Sequence, residues 1–489
     1  MKPTPTGEVA LVILALSLVS AVVTWQVAAR GWTLYYGDAE AHLDIARRVV
    51  DSRTAGYDQF GTVWLPLPHA LMLPLVRNDR LWRSGLAGAI PSSICFVLSG
   101  AFLFAAARRA FHSTSAAIAT TGLFALNPNL LYLQATPMTE PVFLLGLLAL
   151  LYFTIRFHQT RAMSAVWCAA LAGLIASLTR YEGWFLIPFA ALFFLIVGGW
   201  RPALLFAVIA ALAPAYWLAH NAWYFGDPLA FYNGPYSAKA IQGAANYPGQ
   251  HDWSKAWLYY RTAARLCAGW PLIALASIGA IAALWKRAWW PLALLIAPPF
   301  FYLWSIHSSG TPIFVPELWP GTYYNARYGL TALPILAFCA GAITLLLPQR
   351  VRVWAAAIVI CLIAVTWTGD VICWKESRVN SETRRAWTTE TAATLKSLYR
   401  PGAGVFTMLG DLAGVYRKAG IPLRETLNEA DGPAWNAALA NPRWFLHEEW
   451  AVAAEGDDVW RTVRKSGHYF VVAAIRVSGA RPIEIYRRN

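Results

Sequence analysis

Two carboxylates, Asp38 and Glu40, open the stretch YYGDAEAHLDIARRVVDSRTAGYDQFGTVWLPLPHALMLPLV, with His42 and Asp44 close behind. A carboxylate fixed at a helix start and partly desolvated suits a general base that takes a proton from a hydroxyl. The same spacing is equally served by Asp38 as an N-cap and Glu40 as a first-turn acid, and capping is compatible with catalysis. His42 could assist the acids or ligate a metal, while a solvated surface role explains it as readily. Three further groups stand between apolar runs: Glu140 in TPMTEP, Arg180, Tyr181 and Glu182 in TRYEGW, and Arg327 in ELWPGTYYNARYG. Glu140 with its flanking Thr139 and Pro141 reads as a helix start. Arg180 and Glu182 occupy a turn too short to be a solvated loop, so with Tyr181 they read as part of a polar cavity rather than as snorkelling side chains. Arg327, preceded by Tyr324 and Asn325, is either a headgroup anchor or a functional cation. His220, Asn221 and Lys239 are weaker candidates.

The elements that must position these groups are membrane spans. Of 489 residues 57% are hydrophobic and only 13% charged, about half the charged fraction of a water-soluble domain. Apolar runs long enough to cross a bilayer recur through the first three quarters of the chain and stop near Trp367. About eleven are expected, near residues 9–28, 84–107, 114–132, 140–157, 164–179, 183–199, 202–219, 269–285, 289–305, 329–347 and 353–370. The first is too long for a signal-peptide core and lacks a cleavage site, so it reads as a retained helix. Arg108 and Arg109, Arg156 with Arg161, Arg201, Lys286 and Arg287, and Arg350 with Arg352 fall in every second connection. Basic loops face the cytoplasm, which places the N-terminus inside and, with an odd span count, the C-terminus outside. The acidic loop, TPMTEP, TRYEGW and the Arg327 loop then share the outer face.

The net charge of +14 therefore reports topology rather than a nucleic-acid partner. The inner loops are short, with no Gly-rich phosphate loop and no room for a nucleotide-binding domain. Six cysteines lack CxxC spacing and predict neither a disulfide framework nor a zinc knuckle. Past residue 370 the composition becomes ordinary, with a helix over Thr389–Tyr399 and strands over Gly404–Met408 and Tyr469–Ile475. The expected fold class is an all-α polytopic membrane bundle, residues 1–370, with interfacial helices in its first external loop. A small extracytoplasmic α/β domain, 371–489, follows it. No fixed-period repeat occurs.

An acidic G-D-x-E motif after the first span, followed by interfacial helices, resembles the GT-C superfamily of polytopic glycosyltransferases. Within it the chain is similar to the protein O-mannosyltransferase and aminoarabinose-transferase branch. The likeness covers the membrane region and is carried by GDAEAHLDIARRVV with GTVWLPLPH, NPNLLYLQATPMTEP and LTRYEGW. It implies an integral plasma (inner) membrane enzyme that moves a hexose, mannose by default, from a polyprenyl-phosphate donor to a hydroxyl of a protein, glycan or lipid acceptor on the extracytoplasmic face. Asp38 is the base by position. The family's acidic pair is often adjacent, whereas here Ala39 intervenes, which leaves Glu40 in contention. Arg327 would stabilise the leaving phosphate, with Tyr324 and Asn325 as donors; His42, Glu140, Arg180, Tyr181, Glu182 and His220 would line the cavity. Such a displacement inverts the anomeric carbon, while a carboxylate nucleophile paired with an acid would retain it. Members differ in metal use, and Asp38, Glu40, His42 and Glu140 could hold a divalent ion. A transporter or flippase of a lipid-linked substrate is the alternative; it should carry ionisable residues near mid-span, and the apolar runs have almost none. An anchor for the tail would not need eleven spans.

Overall fold

Where the chain offers eighteen or more apolar residues with few charges, it forms helices, because a backbone in hydrocarbon must satisfy its own hydrogen bonds. A computed structural model describes residues 6–235, 237–243, 246–367, 369 and 371–489. These fall into two compact units: one of residues up to Val27, Thr62–Pro68 and Ile90–Glu376, the other of Ala28–Gly61, His69–Ala89 and Ser377–Asn489.

In the first unit, eight helices among the described residues are long and apolar enough to cross a membrane: Gly7–Ala29, Leu86–Phe111, Glu140–Thr160, Tyr181–Gly198, Trp200–Phe225, Trp289–His307, Ala326–Leu346 and Gln349–Thr366. Each matches an expected run. The other three expected runs also fold as helices, in shorter or broken form. The run at 114–132 yields Thr114–Ala125, then a break at Asn127 and Pro128, where the Asn127 side chain caps a short second helix. The run at 164–179 is Met163–Ser177, and the run at 269–285 is the second half of a pair, Trp253–Ala268 and Trp270–Trp285, bent by 102°. Small residues let the helices approach closely. A Cβ at Gly183 would collide with the Ala176 backbone, so glycine there lets the Tyr181–Gly198 helix lie against Met163–Ser177 and brings its first residues, Tyr181 and Glu182, close to that neighbour.

The second unit is the α/β domain, and it takes in more than the tail. Five strands, β1 (Val405–Thr407), β2 (Thr426–Leu427), β3 (Trp450–Ala454), β4 (Tyr469–Ile475) and β5 (Ile483–Arg488), form one sheet in the order β2-β1-β3-β5-β4. β1 runs parallel to β2 and β3; β5 runs antiparallel to β3 and β4. Alternate side chains feed opposite faces: Val405, Val452 and Ile485 join one apolar cluster, Phe406, Ala451 and Tyr486 the other. The first cluster also contains Leu43, Ala46, Met72, Val76 and Trp82. The apolar face of the Gly37–Arg48 helix, expected to lie along a membrane interface, is therefore packed into the core of the α/β domain. A single cut at 370 is not how the contacts divide the chain: the tail's share of this unit begins at Ser377, and the first loop's helices belong to it.

Candidate active site

The first loop and the tail build one charged cluster inside the second unit. The Gly37–Arg48 helix is capped by Tyr36, without a side-chain hydrogen bond, so Asp38 is a first-turn acid and not the N-cap. Glu40, one turn in, is buried between two guanidiniums, Arg384 at 2.8 Å and Arg417 in closer contact. Arg384 also donates to the Tyr35 carbonyl at 2.9 Å, and Arg417 to the Arg83 carbonyl at 2.9 Å. A Cβ at Gly414 would collide with the Glu40 carboxylate, so the helix Ala413–Ala419 can rest on that carboxylate only through glycine. Glu40 is thus engaged in holding tail to loop.

The neighbouring groups are likewise occupied. His42 Nδ1 lies 2.9 Å from His69 Nε2, both rings buried, and burial foremost, then His42 and Arg48, holds His69 well below the usual histidine range. Asp44 accepts from Trp82 Nε1 at 3.1 Å, while its second oxygen is buried without a hydrogen-bond partner. Burial, reinforced by Glu40, pushes its carboxyl up to about 7. Of the three acids on this helix, Asp38 alone keeps its side chain partly exposed. A base must be reachable by its substrate, and of these acids Asp38 is the most exposed.

In the first unit the ends of several helices bring together a second cluster. Glu140 starts the Glu140–Thr160 helix, Arg180 precedes Tyr181–Gly198, and Arg327 lies in the 3-10 turn Ala326–Ala332. Glu140 Oε1 accepts from Arg180 at 3.2 Å and from Arg327 at 3.1 Å. Arg180 further donates to Glu182 at 2.7 Å, Thr139 at 2.7 Å and Tyr302 at 2.6 Å, and the Tyr302 hydroxyl donates to Glu182. Arg327 pairs with Glu376 at 3.5 Å, and its backbone N–H donates to the same carboxylate at 3.2 Å. Tyr328 stacks on Tyr302 with centroids 4.4 Å apart, and the Arg180 and Arg327 guanidiniums lie 5.2 and 5.0 Å from its ring centre. Glu140, Arg180, Tyr302, Arg327 and Tyr328 line a cavity together with the apolar Phe143 and Leu144. The second oxygen of Glu140 is buried there with no partner among the described residues. Such a site can orient an anionic group and stabilise charge that develops on it.

Glu140, Arg180, Glu182 and Arg327 are therefore brought together as expected of cavity residues. Tyr181 turns aside, donating to the Val63 carbonyl at 2.7 Å and stacking on Phe231. His220 is buried against Trp217, ring centroids 4.6 Å apart, and does not line the cavity. Nor do Tyr324, which bridges Phe314 through backbone hydrogen bonds, and Asn325, whose side-chain amide donates to the Pro312 carbonyl at 3.3 Å. No group of three or more His, Cys, Asp or Glu among the described residues, Asp38, Glu40, His42 and Glu140 included, is arranged to hold a metal ion. The sequence reading missed Tyr302, Tyr328 and Glu376. For Glu376 a signal existed, a carboxylate just past the last apolar run; a tyrosine within or beside an apolar run gives none.

Residues 81–223 match the family described as dolichyl-phosphate-mannose-protein mannosyltransferase. A comparison with curated proteins gives no significant match. Among solved structures, ArnT from Cupriavidus metallidurans bound to undecaprenyl phosphate matches with 14% identity and a TM-score of 0.57, over 95% of this chain and 97% of that one. Its apo state matches with the same identity and coverage and a TM-score of 0.58. The fold is thus the one that these two structures share.

Proposed function

We propose that the chain transfers a sugar, mannose or another hexose, from a polyprenyl-phosphate donor to an acceptor hydroxyl on the extracytoplasmic face. The acceptor belongs to a protein, glycan or lipid. The observation that carries the reading is the pair of arginines, Arg180 and Arg327, held by glutamates around a cavity in an otherwise apolar helical unit. Asp38 takes the proton of the acceptor hydroxyl as its oxygen forms a bond to the anomeric carbon. The bond from that carbon to the donor phosphate oxygen breaks, its electron pair leaves with the polyprenyl phosphate, and Arg327 stabilises the charge that develops. One displacement inverts the anomeric carbon. A polyprenyl donor is supported by the ArnT structure of the same fold, which holds undecaprenyl phosphate.

The charges sit at helix ends, at Glu140, Arg180, Arg327 and near Glu376. A transporter or flippase should instead present ionisable groups near mid-span, so their placement favours a one-sided enzyme. The alternation of basic loops supports the exterior as that side. The test is transfer from a panel of radiolabelled polyprenyl-phosphate sugars, in membranes carrying matched amounts of wild type, Asp38→Asn and Arg327→Ala. Wild type transfers one sugar. Loss of the base lowers the rate by about 10²–10⁴, and loss of the arginine by about 10²–10³. Full activity of Asp38→Asn would remove it from the mechanism, and no transfer with any donor would favour transport.

A further inference from the structure

The second unit carries more positive charge around Glu40 than that carboxylate can balance. Arg384 and Arg385 are successive residues of the Ile372–Leu398 helix, and Arg417 and Lys418 of the Ala413–Ala419 helix. The two helices touch here, with Lys418 Nζ donating to Thr389 Oγ1 at 2.8 Å. Among the described residues Glu40 is the one carboxylate that ion-pairs with any of the four cations. Arg385 makes neutral contacts, to Ser381 Oγ at 2.9 Å and over the Tyr35 ring at 4.0 Å. The carboxyl of Asp44, which interacts with Glu40 and Arg417, is pushed by burial up to about 7, so four cations against Glu40 leave an excess of up to three positive charges. Of the other acids on the Ile372–Leu398 helix, Glu376 pairs with Arg327, and Glu382 and Glu390 are exposed.

A second observation points the same way. Arg417 is only 7% exposed, yet its Nε has no hydrogen-bond partner among the described residues. Leaving a buried donor unmet is costly, the more so on a charged group. The Lys418 ammonium sits below the usual lysine range through partial burial and then the neighbouring Arg417, with Arg385 and Arg384 adding to the effect and Glu40 opposing it. Both strains would be relieved by an anion with several acceptor oxygens. A phosphate carries up to two charges and three such oxygens, and arginine forks match it.

We propose that Arg384, Arg385, Arg417 and Lys418 form a binding site for a phosphate-bearing group of the acceptor. Its identification with the acceptor rests on the transfer reading, in which Asp38, two residues before Glu40 on the same helix and so roughly 3 Å along its axis, takes the acceptor's proton. The anion site itself does not depend on it.

The test is equilibrium binding to the full chain in a neutral detergent. The probes are short-chain phosphatidic acid, inorganic phosphate and short-chain diacylglycerol. Arg385→Ala combined with Lys418→Ala removes two cations that do not grip Glu40, and a matched thermal transition shows that the variant is folded. Wild type binds phosphatidic acid saturably, inorganic phosphate competes and diacylglycerol does not. The double variant binds phosphatidic acid at least tenfold more weakly. Absence of saturable binding to wild type, wild-type affinity in the folded double variant, or competition by diacylglycerol would each overturn the site. Because no transfer is measured, failure here leaves the glycosyltransferase reading standing, and failure of the transfer assay leaves the anion site standing.

Discussion

The two charged clusters carry opposite balances. In the helical unit Arg180 and Arg327 face Glu140, Glu182 and Glu376, a formal excess of one negative charge. In the α/β unit four cations cluster beside Glu40, two of them paired with it, an excess of up to three positive charges. The first arrangement holds its guanidiniums by several carboxylates each, so what it offers a phosphate is fixed donors in a fixed geometry, with little net attraction. That suits a group which must be released once its bond is broken, since stabilisation by preorganised donors needs no strong ground-state binding. The second offers attraction through an uncancelled field, which suits recognition and should weaken with salt where the cations are exposed.

The same difference decides what a single substitution does to each unit. The largest effect is expected at Glu40, the one carboxylate among the described residues that ion-pairs with its cluster's arginines. Glu40→Ala leaves Arg384 and Arg417 partly buried without a counter-charge, and breaking a buried pair from one side costs about 3–5 kcal/mol. Thermal unfolding of the purified variant, with Glu40→Gln alongside, measures it. A transition within a degree of wild type would mean that the two arginines find other partners and that the cluster is not organised by this carboxylate.

Much of the helical cluster is legible: Arg180 and Glu182 stand out because charges beside apolar runs are costly, Glu140 marks a helix start, and Arg327 stands at the entrance of a span. The α/β cluster is not. Glu40 meets Arg417 across 377 residues of chain, and no local pattern announces such a pair; only the packing of Leu43 and Ala46 into the tail's core brings it about. The helices themselves were readable from hydropathy, as was the mixed character of the tail. The break at Asn127 and Pro128 was written in the sequence as a cap and a helix-starting proline, yet an apolar run that continues to Leu133 hides it. The 102° bend between Trp253–Ala268 and Trp270–Trp285 follows from a glycine that the polar first half of the pair made look like loop.

The next effect, at most about 4 kcal/mol, is expected from Asp44. Its carboxyl is raised from 3.8 to about 7 by burial and by Glu40. A raised carboxyl binds a proton in the folded state that the unfolded chain has released, so stability falls as pH rises from about 4 to about 7 and then levels. Asp44→Asn retains an oxygen for Trp82 and removes the titration. Unfolding midpoints of wild type and variant should therefore diverge across that window, with the variant the more stable above pH 7; parallel curves would mean that Asp44 is ionised in the folded protein at neutral pH.

The smallest effect sharpens the contrast from the other side. Tyr302 both accepts from Arg180 and donates to Glu182, so Tyr302→Phe deprives each of one partner while Glu140 and Thr139 still hold the guanidinium. An over-connected cluster should absorb this without unfolding. The lost bonds, each to a charged group and worth about 1.5–3 kcal/mol, should appear in part in catalysis, because Arg180 then samples more than one orientation at the cavity wall. Sugar transfer is expected to drop about tenfold to a hundredfold through kcat, with the donor KM little changed, since an interaction needed only in the transition state lowers kcat and leaves ground-state binding alone. A rise in donor KM at constant kcat would instead assign Arg180 to holding the donor, and would make the helical cluster, like its counterpart around Glu40, a device for attraction.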